Sequence, residues 1–293
     1  MTDVILTANQ YGKAENRVVR VVRDTDRHEI VDLNVTSQLR GDFAAAHTEG
    51  DNSHVVATDT QKNTVFAFAK DGIASPETFL MRLADHFTGR FDWVTGGRWA
   101  AEQYGWSRIN DHEHSFYRSS PETRTAVLVR DGDDTTVISG FHGLTVLKTT
   151  QSGFGGYPKD EYTTLQETED RILATDIATR WRYNTTHVDF NAVYGSVKDI
   201  LLTTFTQGYS KALQHTLYQM AEAVISEHDS IDEIKFSCPN KHHFTYDLSF
   251  CGLDNPNEVF YAADRPYGLI EVTVQRAGSE TVAEAWMGIA GFC

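Results

Sequence analysis

One order of elements is written twice along the chain, and that narrows the fold more than any other feature. In the first half, the valine-rich run Asn16–Arg23 and the alternating run His28–Leu39 read as strands. Val55-Val56-Ala57 leads into a helix start at Thr58-Asp59. Either side chain there could cap it, and Val65, Phe66 and Ala69 follow at helical spacing. Ser75-Pro76-Glu77 is a second start signal: a capping serine, a proline in the first turn and a carboxylate near the positive end of the dipole. Phe79, Leu80, Leu83 and Phe87 then form one apolar stripe. Arg98–Ile109 and Arg124–Val129 close this half as strands, with a turn at Asp131-Gly132. The second half repeats the order. Gly143–Thr149 and Trp181–Val188 read as strands, and Ala192–Phe205 and Ala212–Ser226 as helices. Ile231–Ser237 and His243–Leu248 read as strands around a break at Pro239-Asn240, and Val259 and Leu269–Val274 supply the last pairing. Strand, strand, helix, helix, strand, strand is an α+β pattern. A four-stranded antiparallel sheet with two helices on one face would bury the stripes and leave its other face to solvent or to another subunit.

Charge limits the partners. The formal net charge is -15, which repels phosphate backbones and anionic lipid, so neither nucleic acid nor a membrane surface is expected as a partner. An anionic substrate would need a local positive exception. No apolar run is long enough to span a bilayer, Met1-Thr2-Asp3-Val4 lacks the features of a signal peptide, and Gly291-Phe292-Cys293 is not a peroxisomal signal, so a cytoplasmic location is expected. The three cysteines, Cys238, Cys251 and Cys293, match neither a disulfide framework nor a zinc pattern and read as free thiols, with Cys293 as an exposed, oxidisable one.

Motifs for common cofactors are missing. There is no Gly-x-Gly-x-x-Gly, no phosphate loop and no Gly-x-Ser-x-Gly elbow. His112-Glu113-His114 has no third ligand at diagnostic spacing and reads as a polar loop, and the pair His242-His243 is no stronger as a metal signal.

Four short segments are more specific: Gln10-Tyr11-Gly12-Lys13-Ala14; Val55 to Thr64; Gly143 to Lys148 with Phe154 and the run Tyr162 to Leu173; and Pro239-Asn240-Lys241-His242-His243-Phe244. Together, and in this order, they resemble urate oxidase from about residue 10 to about residue 275. The resemblance implies two tandem tunnelling-fold modules, 1–140 and 141–293, in agreement with the repeated element order. It also implies a homotetramer with active sites between subunits, urate and O2 as substrates, and no cofactor, whether metal or flavin.

It further implies roles for particular residues. Arg171 matches a guanidinium fork for two adjacent acceptors on an anion. Gln214 matches an amide at the purine edge, and Leu213 a position whose backbone N–H is used. Phe154 matches a stacking ring. Thr58 and Asp59 match a pair lent by the neighbouring subunit. Lys13, Thr58 and His242 match a proton relay, in which a neutral lysine amine takes the threonine proton and histidine exchanges protons near neutral pH. Asn240 matches the residue above the substrate plane, where oxygen and then water bind. Tyr157 and His243 depart from the family's usual residues, at the rim rather than the centre. The stretch after about Arg276 matches least. Two other functions share parts of the pattern: another purine- or pterin-binding enzyme of the same fold, which would need metal ligands, and a non-catalytic purine binder, which would not need the relay.

Overall fold

The structure is a computed structural model and describes residues 3–289, 291 and 292, so Cys293 lies outside the described residues. In chain order the elements are β1 (Tyr11–Val22), β2 (Glu29–Gly41), α1 (Ala44–Thr48), α2 (Thr58–Asp71), α3 (Pro76–Arg90), β3 (Val94–Arg108), β4 (Phe116–Asp131) and β5 (Asp134–Lys148). There follow β6 (Leu173–Tyr183), α4 (Phe190–Thr206), α5 (Leu213–Glu227), β7 (Ile231–Thr245), β8 (Phe260–Gln275) and α6 (Ala283–Trp286). With the one-turn α1 and α6 set aside, this is the repeated order read from the sequence, and the fold is α+β. The chain divides into two compact units. One comprises the residues up to Gly140 with Arg182–Ala192 and Thr281–Met287; the other comprises Phe141–Trp181 and Val193–Glu280.

In the first unit β1, β2, β3 and β4 form an antiparallel meander in which each strand pairs with its chain neighbour. Period-two alternation sends Leu33, Val35 and Leu39 of β2, and Trp99 and Ala101 of β3, to one buried face. Phe79, Leu80, Leu83 and Phe87 of α3 are buried, as the stripe predicts, and α3 packs on β3 and β4. Each such fully buried side chain contributes about 1.5–3 kcal/mol. α2 supplies Val65 and Ala69 but not Phe66, which is exposed. Ser75 caps α3 as expected, its hydroxyl accepting from the Thr78 N–H at 3.1 Å. Glu77 does more than complement the dipole. It is fully buried, paired with Arg124 at 2.8 Å and accepting from Ser139 Oγ at 2.5 Å, while Arg124 also donates to Asn191 Oδ1 at 2.7 Å.

In the second unit β7 and β8 pair antiparallel from Glu233↔Gln275 to Thr245↔Phe260, and α5 packs against both. Leu213, Leu217, Met220 and Val224 of α5 are buried, and so are Ile231, Ile234 and Phe236 of β7.

Three expectations need correction. Neither Thr58 nor Asp59 caps α2: the cap position is Ala57, with no side-chain hydrogen bond, and Asp59 lies inside the first turn, where its carboxylate turns to Lys62 and Asn63. Trp181–Val188 is a strand only as far as Tyr183. The strand is β6, Leu173–Tyr183, and the following residues lead into α4. Pro239-Asn240 does not break the chain into two strands, because β7 runs through it. A proline is tolerated in a strand next to an irregularity, and the register shifts between Asn240 and His242.

His112, Glu113 and His114 lie in the connection between β3 and β4, as the loop reading expected. Cys238 is a buried free thiol, pushed up to about 12 by burial, and Cys251 is an exposed one. Among the described residues no helix is long and apolar enough to cross a membrane.

Candidate active site

The second unit contains a cavity of about 750 Å³, and six of the residues singled out from the sequence line it: Phe154, Arg171, Leu213, Gln214, Asn240 and His242. Ligand cavities commonly fall in the range of about 300–1,000 Å³. Its apolar walls include Ile172, Phe260 and Ile270.

Three stretches of backbone converge there. The first is the irregular segment between β5 and β6. Phe154 and Thr168 exchange backbone hydrogen bonds of 2.7 and 3.1 Å, an isolated antiparallel bridge that folds the segment back on itself. The Phe154 ring is stacked on Tyr157 at 5.0 Å, and the Arg171 guanidinium lies over Phe154, 5.3 Å from its centroid. Burial lowers the pKa of Arg171, yet an arginine remains a cation at any working pH. The acidic neighbours that could have neutralised it are engaged elsewhere. Asp170 accepts from Thr150 Oγ1 at 2.7 Å, and Glu167 pairs with Lys159 at 3.2 Å. Among the described residues no carboxylate pairs with Arg171. The half-buried fork is therefore a positive point in an acidic protein, in a wall that would penalise it without an anion.

The second stretch is the start of α5. Ala212 is its cap residue and makes no side-chain cap bond, so the N–H groups of the first turn, at Leu213 and Gln214, have no partner within the helix. The helix dipole adds a partial positive charge there.

The third is the irregular part of β7. Asn240 faces Gly268 and His242 faces Ala263, so residues 264–267 of β8 are accommodated opposite Lys241 alone. Asn240 and His242, two apart on the strand, both line the cavity. Gly268 lies beside both side chains, its Cβ position 3.9 Å from Asn240 Cβ and from His242 Nε2. Burial lowers the pKa of His242, and the charge of Arg171 and the neighbouring His243 lower it further, which favours the neutral imidazole.

Lys13, Thr58 and Asp59 belong to the first unit. Lys13 lies on β1 just before its register shift, Thr58 is the first residue of α2, and β1 packs against α2 with Tyr11 Oη donating to Val56 O at 3.1 Å. The Asp59 carboxylate is held below its usual pKa by the Lys62 ammonium, with Asn63 and the charge of Lys13 assisting. These residues form a second group and do not line the cavity of the second unit. Among the described residues no set of His, Cys, Asp and Glu is arranged to hold a metal ion.

Sequence reasoning passed over Ser152 and Phe260. Phe260 is an ordinary wall residue with no distinguishing pattern, whereas Thr168 belongs to the run Tyr162 to Leu173. Ser152, fully buried beside Arg171, sits in a plain Gln-Ser-Gly tripeptide that carries no signal of its own.

The uricase family model matches residues 9–129 and 137–271. The chain is 65% identical over its full length to the uricase of Arthrobacter globiformis, covering 97% of that protein, and 38% identical to the uricase of Dictyostelium discoideum, with 94% of this chain and 98% of that one covered. The crystal structure of the Arthrobacter globiformis protein superposes with a TM-score of 0.95 over 97% of this chain and 99% of the other. The urate oxidase of Bacillus sp. TB-90, at 24% identity, shares the fold with a TM-score of 0.79 over 92% of this chain and all of the other.

Proposed function

The chain belongs to the uricase family, and on that premise we propose how its residues divide the work of oxidising urate. The protein is an oxidoreductase that converts urate, O2 and water into 5-hydroxyisourate and hydrogen peroxide. Urate loses two electrons and two protons, O2 takes them up as peroxide, and water supplies the new hydroxyl at the oxidised carbon.

The observation that carries the assignment of roles is the Arg171 fork, half-buried and without a carboxylate partner among the described residues. Urate is a flat anion with adjacent acceptors on one edge. The Nη groups of Arg171 bind that edge, Gln214 and the Leu213 N–H bind beside it, and Phe154 gives the ring a face to stack on. Asn240 hydrogen-bonds O2, peroxide and water above the ring. His242, its neutral imidazole favoured, exchanges protons there. Lys13 and Thr58 together form the relay that carries a proton away from urate, and Asp59 flanks them. The substrate supplies both electrons, so the reaction requires no metal or flavin.

We place the relay of Lys13 and Thr58 at the cavity of a neighbouring copy, in a homotetramer of chains each made of tunnelling-fold modules 1–140 and 141–293. Large apolar side chains exposed on and between β7 and β8, among them Tyr246, Phe250, Leu253, Tyr261 and Leu269, support an assembly that covers them. Free thiols at Cys238 and Cys251 support a reducing compartment, the cytoplasm.

The test is direct. Chelator-treated, flavin-free protein should bleach the urate absorbance band, consume O2 and release peroxide in equal amounts. Urate left untouched under those conditions would overturn the cofactor-free reading.

A further inference from the structure

The groups that face the cavity are held from behind by buried hydroxyls. Arg171 donates from Nε to Ser152 Oγ at 3.3 Å and from its backbone N–H to Ser152 O at 2.9 Å. Ser152 pairs in parallel with Ser210: the Gly153 N–H donates to Ser210 O, and the Ser210 N–H to Gln151 O, both at 2.9 Å. Ser210 Oγ shares a 2.7 Å hydrogen bond with Thr216 Oγ1, and Thr216 stands one turn into α5, behind Leu213 and Gln214. All three hydroxyl residues are buried. The chain is closely packed at Gly153, next to Ser152. A Cβ at Gly153 would lie 2.0 Å from Tyr209 Oη and 2.8 Å from Thr168 O, and Thr168 is the residue that bridges Phe154.

The chemistry of the fork explains why such a hub is needed. Arginine carries about 2 kcal/mol of rotamer entropy, and a guanidinium that lies over a ring can still slide and rotate in its own plane. A hydrogen bond at Nε lies in that plane and removes the rotation while leaving the Nη donors for a ligand. Buried hydroxyls keep their geometry because losing a partner leaves an unsatisfied polar group.

We infer that Ser152, backed by Ser210 and Thr216, is the positioning residue that sets the Arg171 fork, the Phe154 ring and the first turn of α5 in one fixed arrangement, and thereby the selectivity for a flat anion with adjacent acceptors. The inference rests on the assignment of Arg171 to urate.

The experiment compares the full-length wild type with Ser152→Ala, Ser152→Thr and Ser210→Ala. It measures steady-state kinetics and, without O2 so that no turnover occurs, the dissociation constant for urate. Ser152→Ala is expected to raise both KM and that dissociation constant about tenfold, with kcat at saturating urate changed by less than about twofold, because one bond to a charged group is lost and no reacting atom is touched. Ser152→Thr, which keeps the hydroxyl, recovers most of the affinity. Ser210→Ala, which touches no ligand, shifts affinity in the same direction by less and decides the matter if Ser152→Ala does not fold. Unchanged affinity in the alanine variants, or a loss confined to melting temperature or kcat, would overturn the inference. A wild type that neither binds nor consumes urate would instead overturn the assignment on which it rests.

Discussion

Arg171 and His242 show how far a single residue can be read without its surroundings. An arginine after an aspartate is by itself a surface ion pair. Only the urate oxidase-like run Tyr162 to Leu173 argued otherwise; in the structure Asp170 turns to Thr150 and Glu167 to Lys159. Arg171→Ala should therefore raise the urate dissociation constant by about a hundredfold or more, since two charge-assisted bonds are lost. Arg171→Lys should recover little of that, because an ammonium cannot present a planar fork. His242 leads to a pH prediction. Burial and the Arg171 charge lower its folded pKa below the ordinary 6.5. The unfolded chain then takes up a proton that the folded one resists, so this residue's contribution favours folding least at low pH. Stability is unaffected above about pH 6.5 and falls as the pH drops below it. In a proton-resonance titration the His242 midpoint should lie below 6.5 in the wild type and move up in Arg171→Ala. A midpoint that ignored that substitution would show that the two groups do not sense each other.

Elements were legible where local chemistry is decisive and illegible where tertiary pairing overrides it. The Ser-Pro-Glu signal located α3 because a cap and a fixed proline φ act within one turn. Ser75→Ala should cost about 1 kcal/mol, read as a lower urea midpoint with an unchanged slope. Glu77 carried no sign of its deeper role. Its burial against Arg124 and Ser139 depends on strands far along the chain. Glu77→Ala removes a buried carboxylate from both Arg124 and Ser139, so about 3–5 kcal/mol of stability should be lost in the same measurement. The Pro239-Asn240 pair misled for the opposite reason. A proline signals a break locally, but β7 pairs with β8 on either side of it, and the ladder absorbs the fault as an irregularity. Asn240 and His242, on either side of that irregularity, both lie on the cavity wall. Thr58-Asp59 marked a helix start correctly to within a residue, yet the cap went to Ala57.

At the scale of the whole molecule, the proposed site requires residues from both compact units, and the copy-to-copy arrangement makes a prediction of its own. Lys13→Met and His242→Ala should each be nearly inactive, Lys13→Met with urate affinity close to wild type. When the two variants are co-assembled, about a quarter of the sites should pair an intact Lys13 from one chain with an intact His242 from the other under random mixing. Recovery of activity on mixing supports sites shared between copies, and no recovery after verified subunit exchange would sink that arrangement. The sequence by itself determined the α+β class, the repeated element order, most of the core stripes and, through four ordered motifs, the family and its candidate residues. These are properties of local periodicity, capping chemistry and residue identity, which act over a few positions. The tertiary structure alone decided which acidic neighbours leave Arg171 unpaired, how the chain passes through Pro239, and that Ser152, Ser210 and Thr216 stand behind the cavity. Those outcomes depend on which distant groups compete for the same hydrogen bonds once water is excluded, and no window of sequence contains that competition.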